Sequence, residues 1–189
     1  AADGAAGMAM FVTHISAATG ALTWMVIEWL KFGKPSGLGA ITGMVAGLAT
    51  ITPASGSVGP AGALIVGLSG GVICYYATMY LKQTVKIDDS LDVFPVHGVG
   101  GMVGTFLAGI LVSGNLGLFS GNGLPDGMTI GSQVGVQLTG IAATVIYTAI
   151  VTFVLLKVVG ALTSGIRISE EQEQKGCDIS DHDEQGYSM

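Results

Sequence analysis

The chain has 189 residues, of which 31 are glycine; half are hydrophobic and only 11% are charged, against about 25% charged residues and about 7% glycine in soluble domains. Its mean hydropathy of +0.66 excludes an ordinary soluble globule, a disordered chain and a nucleic-acid-binding domain. The net charge of −6 is concentrated in residues 164–189, which hold seven acids and two bases and leave the preceding body almost neutral.

Charge-free stretches predict the elements. Residues 4–27, 35–81, 93–125 and 127–156 contain no Asp, Glu, Lys or Arg, and a membrane-spanning helix needs about 20 apolar residues. The first stretch predicts a span over about 4–30. The second is too long for one helix and breaks at the turn from Thr52 to Pro60, which is rich in glycine and proline, giving spans at about 37–52 and 60–81. The third predicts a span over about 93–112, followed by a Gly/Asn/Ser loop, and the last a span over about 129–160. Without period-2 alternation a β-barrel is not expected. The expected fold is an all-α polytopic bundle of five transmembrane helices over 1–163, followed by an acidic cytoplasmic tail over 164–189.

Lys31 and Lys34, then Lys82 and Lys86, then Lys157, Arg167 and Lys175 all fall on one side of this arrangement. The positive-inside rule makes that side the cytoplasm, with the amino end outside and the tail inside. The chain opens on Ala1 with no signal-peptide pattern, which predicts a segment of a longer or processed protein. Cys74 and Cys177 fall on different elements without metal-site spacing, so neither a disulfide nor a metal site is expected, and no cofactor.

Glycines recur at four-residue spacing at 39, 43 and 47, at 67 and 71, at 100 and 104, and at 131 and 135. In lipid, such small residues let helix backbones approach. They fit tight bundle packing or the walls of a narrow central path. Polar residues within a span are costly unless partnered. His97 lies inside an otherwise uncharged span, and a neutral imidazole both donates and accepts, which suits a small polar solute, a proton relay or a structural bond. His14 reads as a packing or interfacial residue and His182 as a solvated tail residue. Ser69, in Gly67-Leu68-Ser69-Gly70, together with His97 matches the short motifs of rhomboid-type intramembrane serine proteases. Those two residues are expected at different depths, about 20 Å and about 7 Å, whereas nucleophilic catalysis needs them within hydrogen-bond reach. No catalytic residue is therefore assigned.

Several motifs are more specific. Thr52-Pro53-Ala54-Ser55-Gly56, Gly59-Pro60-Ala61-Gly62-Ala63 and the run from Lys86 through Asp88, Asp89, Asp92, Val93, Phe94 and His97 to Gly98 resemble the ammonium transporter (Amt/Mep/Rh) family. The tail resembles the same family through Gly165, Arg167, Gly176, Asp178, His182 and Tyr187, with Cys177 where leucine is usual and Asp183 where glycine is usual. The resemblance covers essentially the whole chain. It implies a protein of eleven helices built from two inverted repeats and a long last helix, assembled as a homotrimer, of which this chain supplies the last five helices and the tail.

The resemblance also implies roles. His97 matches one of two facing pore histidines, Val93 a residue of the apolar pore lining and Thr52 a hydroxyl of the pore wall. Asp92, Phe94 and Gly98 carry the motif itself. The partner histidine, the outer recruitment site and the gating aromatics belong to the segment that is absent. The implied activity is ammonium transport, with methylammonium as an analogue. A PII-type signal protein at the cytoplasmic face and the tail as a regulatory surface are implied as well, and the expected location is the cell (plasma or inner) membrane. The runner-up is an ammonium sensor built on the same membrane domain. A sensor is expected to carry a signalling domain behind the tail, and the chain stops at Met189, which favours transport.

Overall fold

A computed structural model describes residues 2–163, 165–184 and 186. Contacts divide it into two units, Ala1–Ile141 and Ala142–Met189, and among the described residues the regular elements are all helical.

The first unit contains α1 (Gly4–Phe32), α2 (Gly37–Ile51), α3 (Pro60–Met79), which runs on as a π-helical segment (Tyr80–Val85), a second π-helical segment (Phe94–Val99) leading into α4 (Gly100–Leu111), a 3₁₀ turn (Gly117–Phe119) and the start of α5 (Ile130–Leu162). α1 and α5, and α3 and α4 with their π extensions, are long and apolar enough to cross a membrane; α2 is apolar but, at 15 residues, shorter.

Local chemistry sets the ends. Asp3 caps α1 by accepting from the Ala6 N–H at 2.9 Å, and Gly33 ends it at φ 76°, a left-handed conformation that suits glycine. Ser36 caps α2 by accepting from Gly39 N at 2.8 Å. Pro60 opens the first turn of α3, where its missing N–H leaves no intrahelical bond unmade. Within the helices the hydroxyls of Thr19, Thr23, Thr50 and Thr105 each donate to the carbonyl four residues back. This satisfies them where lipid offers no partner.

Glycine decides the packing. α1 and α2 run antiparallel with Ser16 against Gly47, Gly20 against Gly43 and Glu28 against Gly39. A Cβ on Gly20 would stand 2.9 Å from Gly47 Cα. Gly67 and Gly71 of α3 receive Ser16, Thr19 and Thr23 of α1, while Gly70 meets Thr50 of α2. Gly100 and Gly104 bring the fourth helix onto Thr50. Three of the four glycine series therefore mediate helix approach. In the α5 series Gly135 has open space around it.

Buried side chains gather in two clusters. One joins Val12, Ile51, Ala54, Val58, Ala63, Val66, Ala108 and Leu111. The other joins Trp24, Ala46, Cys74, Tyr75 and Val96, with the Trp24 and Tyr75 rings edge to face at 5.1 Å. At the first cluster's end the 113–128 loop folds back on the Thr52–Pro60 turn. Asn122 Nδ2 donates to Gly56 O at 2.7 Å and its backbone N–H to Ser57 O at 2.9 Å.

The second unit holds the remainder of α5, α6 (Glu170–Lys175) and α7 (Cys177–Ser180). Ser169 and Gln172 form a capping box at the start of α6. Gln172 Nε2 donates to Asp181 Oδ1 at 3.1 Å, linking α6 to the turn after α7.

Candidate functional site

The segment from Lys82 to Gly104 builds the surroundings of His97. After the π-helical end of α3, Lys86 reverses the chain at φ 59°. The turn is closed by the Asp92 N–H, which donates to Asp89 O at 3.2 Å, and Asp92 is itself left-handed at φ 55°. Left-handed non-glycine residues are uncommon, and short polar side chains tolerate them best. The Asp92 carboxylate pairs with Lys82 Nζ at 2.7 Å, tying the turn to the end of the preceding helix.

The Asp89 carboxylate accepts the backbone N–H of Val93 at 2.9 Å through Oδ1 and of Phe94 at 2.8 Å through Oδ2. Pro95 has no N–H to satisfy, and the Val96 N–H donates to Asp92 O at 3.0 Å. The orphan donors of an ordinary helix start are all accounted for here.

His97 sits in the π-helical segment Phe94–Val99. π segments inside helices are rare, and those that occur are frequently at functional sites. Pro95 and Val96 are buried, whereas Val93, Phe94 and His97 are exposed. Val93 and His97, four residues apart, share that exposed side. The Phe94 ring lies over Gly98, where a Cβ would come within 3.1 Å of ring carbon Cδ2. Behind the segment, the Cys74 thiol lies 3.9 Å from the Val96 carbonyl. A Cβ on Gly100 would be 3.1 Å from Thr50 Oγ1 and 3.3 Å from Cys74 Sγ. The imidazole is thus carried on a backbone pressed against α2 and α3.

Thr52, at the end of α2, is exposed and donates to Leu48 O of its own helix at 2.7 Å. The packing of Gly104 on the Thr50 carbonyl and Pro53 places this end of α2 about 10 Å along the fourth helix from His97. Ser69 is not level with His97 either. Cys74 lies opposite Val96 and Gly100 on an antiparallel helix, which sets Ser69 about 9 Å from the His97 level.

The tail residues are separate. Gly165 and Gly176 adopt φ 134° and 88°, and Arg167 makes an exposed 3.5 Å pair with Glu173. Asp178 lies in α7, where its carbonyl accepts from the Glu184 N–H at 2.8 Å, and His182 is exposed. Tyr187 lies outside the described residues.

Sequence reasoning missed Glu28. Its carboxylate accepts from Trp24 Nε1 at 3.3 Å and from the backbone N–H of Ser36 at 2.7 Å, with Ser36 Oγ 3.2 Å away. It thereby joins the end of α1 to the start of α2. Lys31, one turn on, lies over the rings of Tyr75 and Tyr76 at 4.9 and 4.5 Å. The signal was present: an acid one turn before a basic loop that ends in a helix-capping serine.

The model of the Ammonium Transporter Family matches residues 1–187. This chain belongs to the ammonium transporter family. It is 43% identical to a putative ammonium transporter of Methanothermobacter thermautotrophicus, over 97% of this chain and 45% of that protein. It is also 43% identical to the ammonium transporter Amt1 of Archaeoglobus fulgidus, over 100% of this chain and 46% of that one. The crystal structure of Saccharomyces cerevisiae Mep2 superposes with a TM-score of 0.75 at 37% identity, over 88% of this chain and 38% of that one. A Sensor Amt protein shares the fold at a TM-score of 0.82 and 23% identity. The chain spans less than half the length of the curated relatives it matches. As a member of this family it is an all-α, multi-pass membrane bundle, from a family of transporters rather than of enzymes.

Proposed function

We propose that the intact protein moves ammonium across the cell membrane and passes it as neutral ammonia along His97. The observation that carries this reading is the exposure of His97 beside Val93 on a π-helical segment whose other face is buried. A histidine in an uncharged span is costly, and this one is presented outward rather than packed into the chain's own core. The part of the relatives that this chain does not match supplies the opposite wall. In inverted-repeat transporters the substrate path lies at the repeat interface near mid-membrane.

The physics of the path follows. An ion is expensive to bury in an apolar environment, and a small neutral solute is not. Removing a proton at the entrance lets ammonia enter a channel walled by Val93 and neighbouring apolar groups. His97 supplies a nitrogen edge that can accept from or donate to the solute. Thr52 adds a hydroxyl to the wall, and Asp92, Phe94 and Gly98 shape the segment that holds His97.

The protein acts as a homotrimer in the cell membrane, its amino end outside and its tail in the cytoplasm. Gly165, Arg167, Gly176, Asp178, His182 and Tyr187 belong to a regulatory tail, and the cytoplasmic face docks a PII-type signal protein. The distribution of bases supports the orientation, and exposed apolar side chains such as Phe11, Leu22 and Leu30 on α1 suit lipid or a second copy.

The deciding experiment compares uptake of labelled methylammonium, and the yield of assembled protein, for full-length wild type and His97→Leu. The expected result is normal assembly with sharply reduced uptake. Normal uptake by an assembled mutant removes His97 from the path, and loss of assembly makes it a structural histidine.

A further inference from the structure

Of the three acids in the turn before His97, only one reaches the backbone of the helix that carries it. The Asp88 carboxylate is exposed and, among the described residues, accepts from Ser90 Oγ alone, at 3.2 Å. Asp92 is engaged by Lys82. Asp89 alone takes two backbone donors, from Val93 and Phe94, one on each carboxylate oxygen. We propose that Asp89 is a positioning residue for the conduction path: by clamping the Val93 and Phe94 amides it holds the π-helical register that presents His97. This rests on the transport reading above.

The reason lies in the π geometry. A π segment bonds i→i+5 rather than i→i+4, so it inserts about one extra residue into the turn, and such segments are rare within α-helices. Losing the extra residue would turn the preceding residues by about 100° around the helix axis, the α-helical step of 3.6 residues per turn. Val93 and His97 would then no longer face the same way relative to α4. The register is held at both ends. On the far side Gly100 is wedged against Thr50 and Cys74, and Cys74 approaches the Val96 carbonyl. On the near side Pro95 offers no donor, so among the described residues the side-chain bonds to the segment's entry are those of Asp89. The Lys82–Asp92 pair fixes the turn itself to the end of α3 and leaves Asp89 free for the helix.

A positioning role differs in two ways from recruitment of a cation by the same carboxylate. It acts on the rate of passage rather than on substrate affinity, and it needs acceptor oxygens rather than negative charge. The test uses the full-length protein and labelled methylammonium uptake per assembled transporter, for wild type, Asp89→Ala, Asp89→Asn and Asp89→Ser, with Asp88→Ala as the neighbouring control. Asp89→Ala is expected to lower maximal uptake about tenfold with the half-saturating concentration unchanged within about twofold. Asp89→Asn, which keeps an acceptor oxygen without the charge, is expected to recover to within about threefold of wild type. Asp88→Ala is expected to match wild type. Wild-type maximal uptake by assembled Asp89→Ala overturns the inference. So does an Asp89→Asn variant as impaired as Asp89→Ala, or a raised half-saturating concentration at unchanged maximal uptake; both would assign a charge role. If Asp89→Ala does not assemble, Asp89→Ser decides. Its shorter side chain reaches one amide at most, so maximal uptake is expected to fall about threefold, and an undiminished rate overturns the proposal. Absence of uptake by the wild type defeats the transport reading, whereas wild-type uptake unaffected by Asp89→Ala defeats the positioning role alone.

Discussion

Ser16 Oγ donates to the carbonyl oxygen of Gly47 at 2.8 Å, with both residues fully enclosed where α1 and α2 touch. The bond is possible because Gly47 has no side chain. A Cβ there would stand 2.8 Å from the Ser16 carbonyl carbon and 3.1 Å from Ala17 Cα. Lipid provides no hydrophobic drive for two helices to associate, so contact of this kind, backbone on backbone with one interhelical hydrogen bond, is what joins them.

Gly47→Ala is therefore expected to separate α1 from α2. The clashing atoms are backbone, which cannot rotate away, and overpacking of this type costs about 1–3 kcal/mol. Thermal unfolding of the purified protein in detergent should show the loss. Gly37→Ala, at a position with open space around it, should leave the transition unchanged. Equal midpoints for the two variants would contradict the packing described.

Glu28 has a distinct signature. Glu28→Ala leaves the Trp24 indole N–H and the Ser36 amide without their acceptor, an expected loss of about 1–3 kcal/mol. Glu28→Gln keeps one acceptor oxygen and should fall between. Trp24 is 3% exposed, so a red shift of its emission in Glu28→Ala, read in a Trp29→Phe background, would report the opened junction. An unshifted spectrum would separate Glu28 from the Trp24 environment.

The orientation is open to single-cysteine labelling. Cys177 is exposed and Cys74 buried, so the background carries Cys177→Ser. A membrane-impermeant reagent added outside should modify a cysteine at position 57 and spare one at 180. The reverse pattern would invert the topology.

The tail can be tested in two steps. Ser169→Ala removes the capping box at α6 and should cost about 1 kcal/mol of local helix stability, seen as faster amide exchange over residues 170–175. Deleting residues 165–189 from the full-length protein should alter transport or its inhibition by a partner. Unchanged flux and unchanged partner binding would leave the tail a solvated acidic segment.

The site was partly legible in the residue order. His97 stood out because one histidine in an uncharged span is costly in lipid, and Asp92, Val93, Phe94 and Gly98 stood out as a motif. What each motif residue does was not legible. A pattern of acids does not say that Asp89 reaches two amides while Asp88 reaches a serine, because that depends on the left-handed turns at Lys86 and Asp92. The π-helical segment was invisible too, since its residues are compatible with an α-helix, and the contacts that accompany the wider turn, Gly100 on Thr50 and Cys74 at one end and the Asp89 bonds at the other, come from the fold. Ser69 shows the converse, a plausible local motif whose partner lies at another level of the bundle.

The amino-acid order alone determined a membrane helix bundle with glycine-lined contacts and a strong charge asymmetry, because the bilayer admits few solutions: long apolar stretches must be helical, and bases stay in water. Only the tertiary structure decided which glycines meet which backbones, that Glu28 joins α1 to α2, and that Asp89 holds the start of the segment bearing His97. These depend on the register of one helix against another, which is set by contacts between residues far apart in the chain rather than by local pattern.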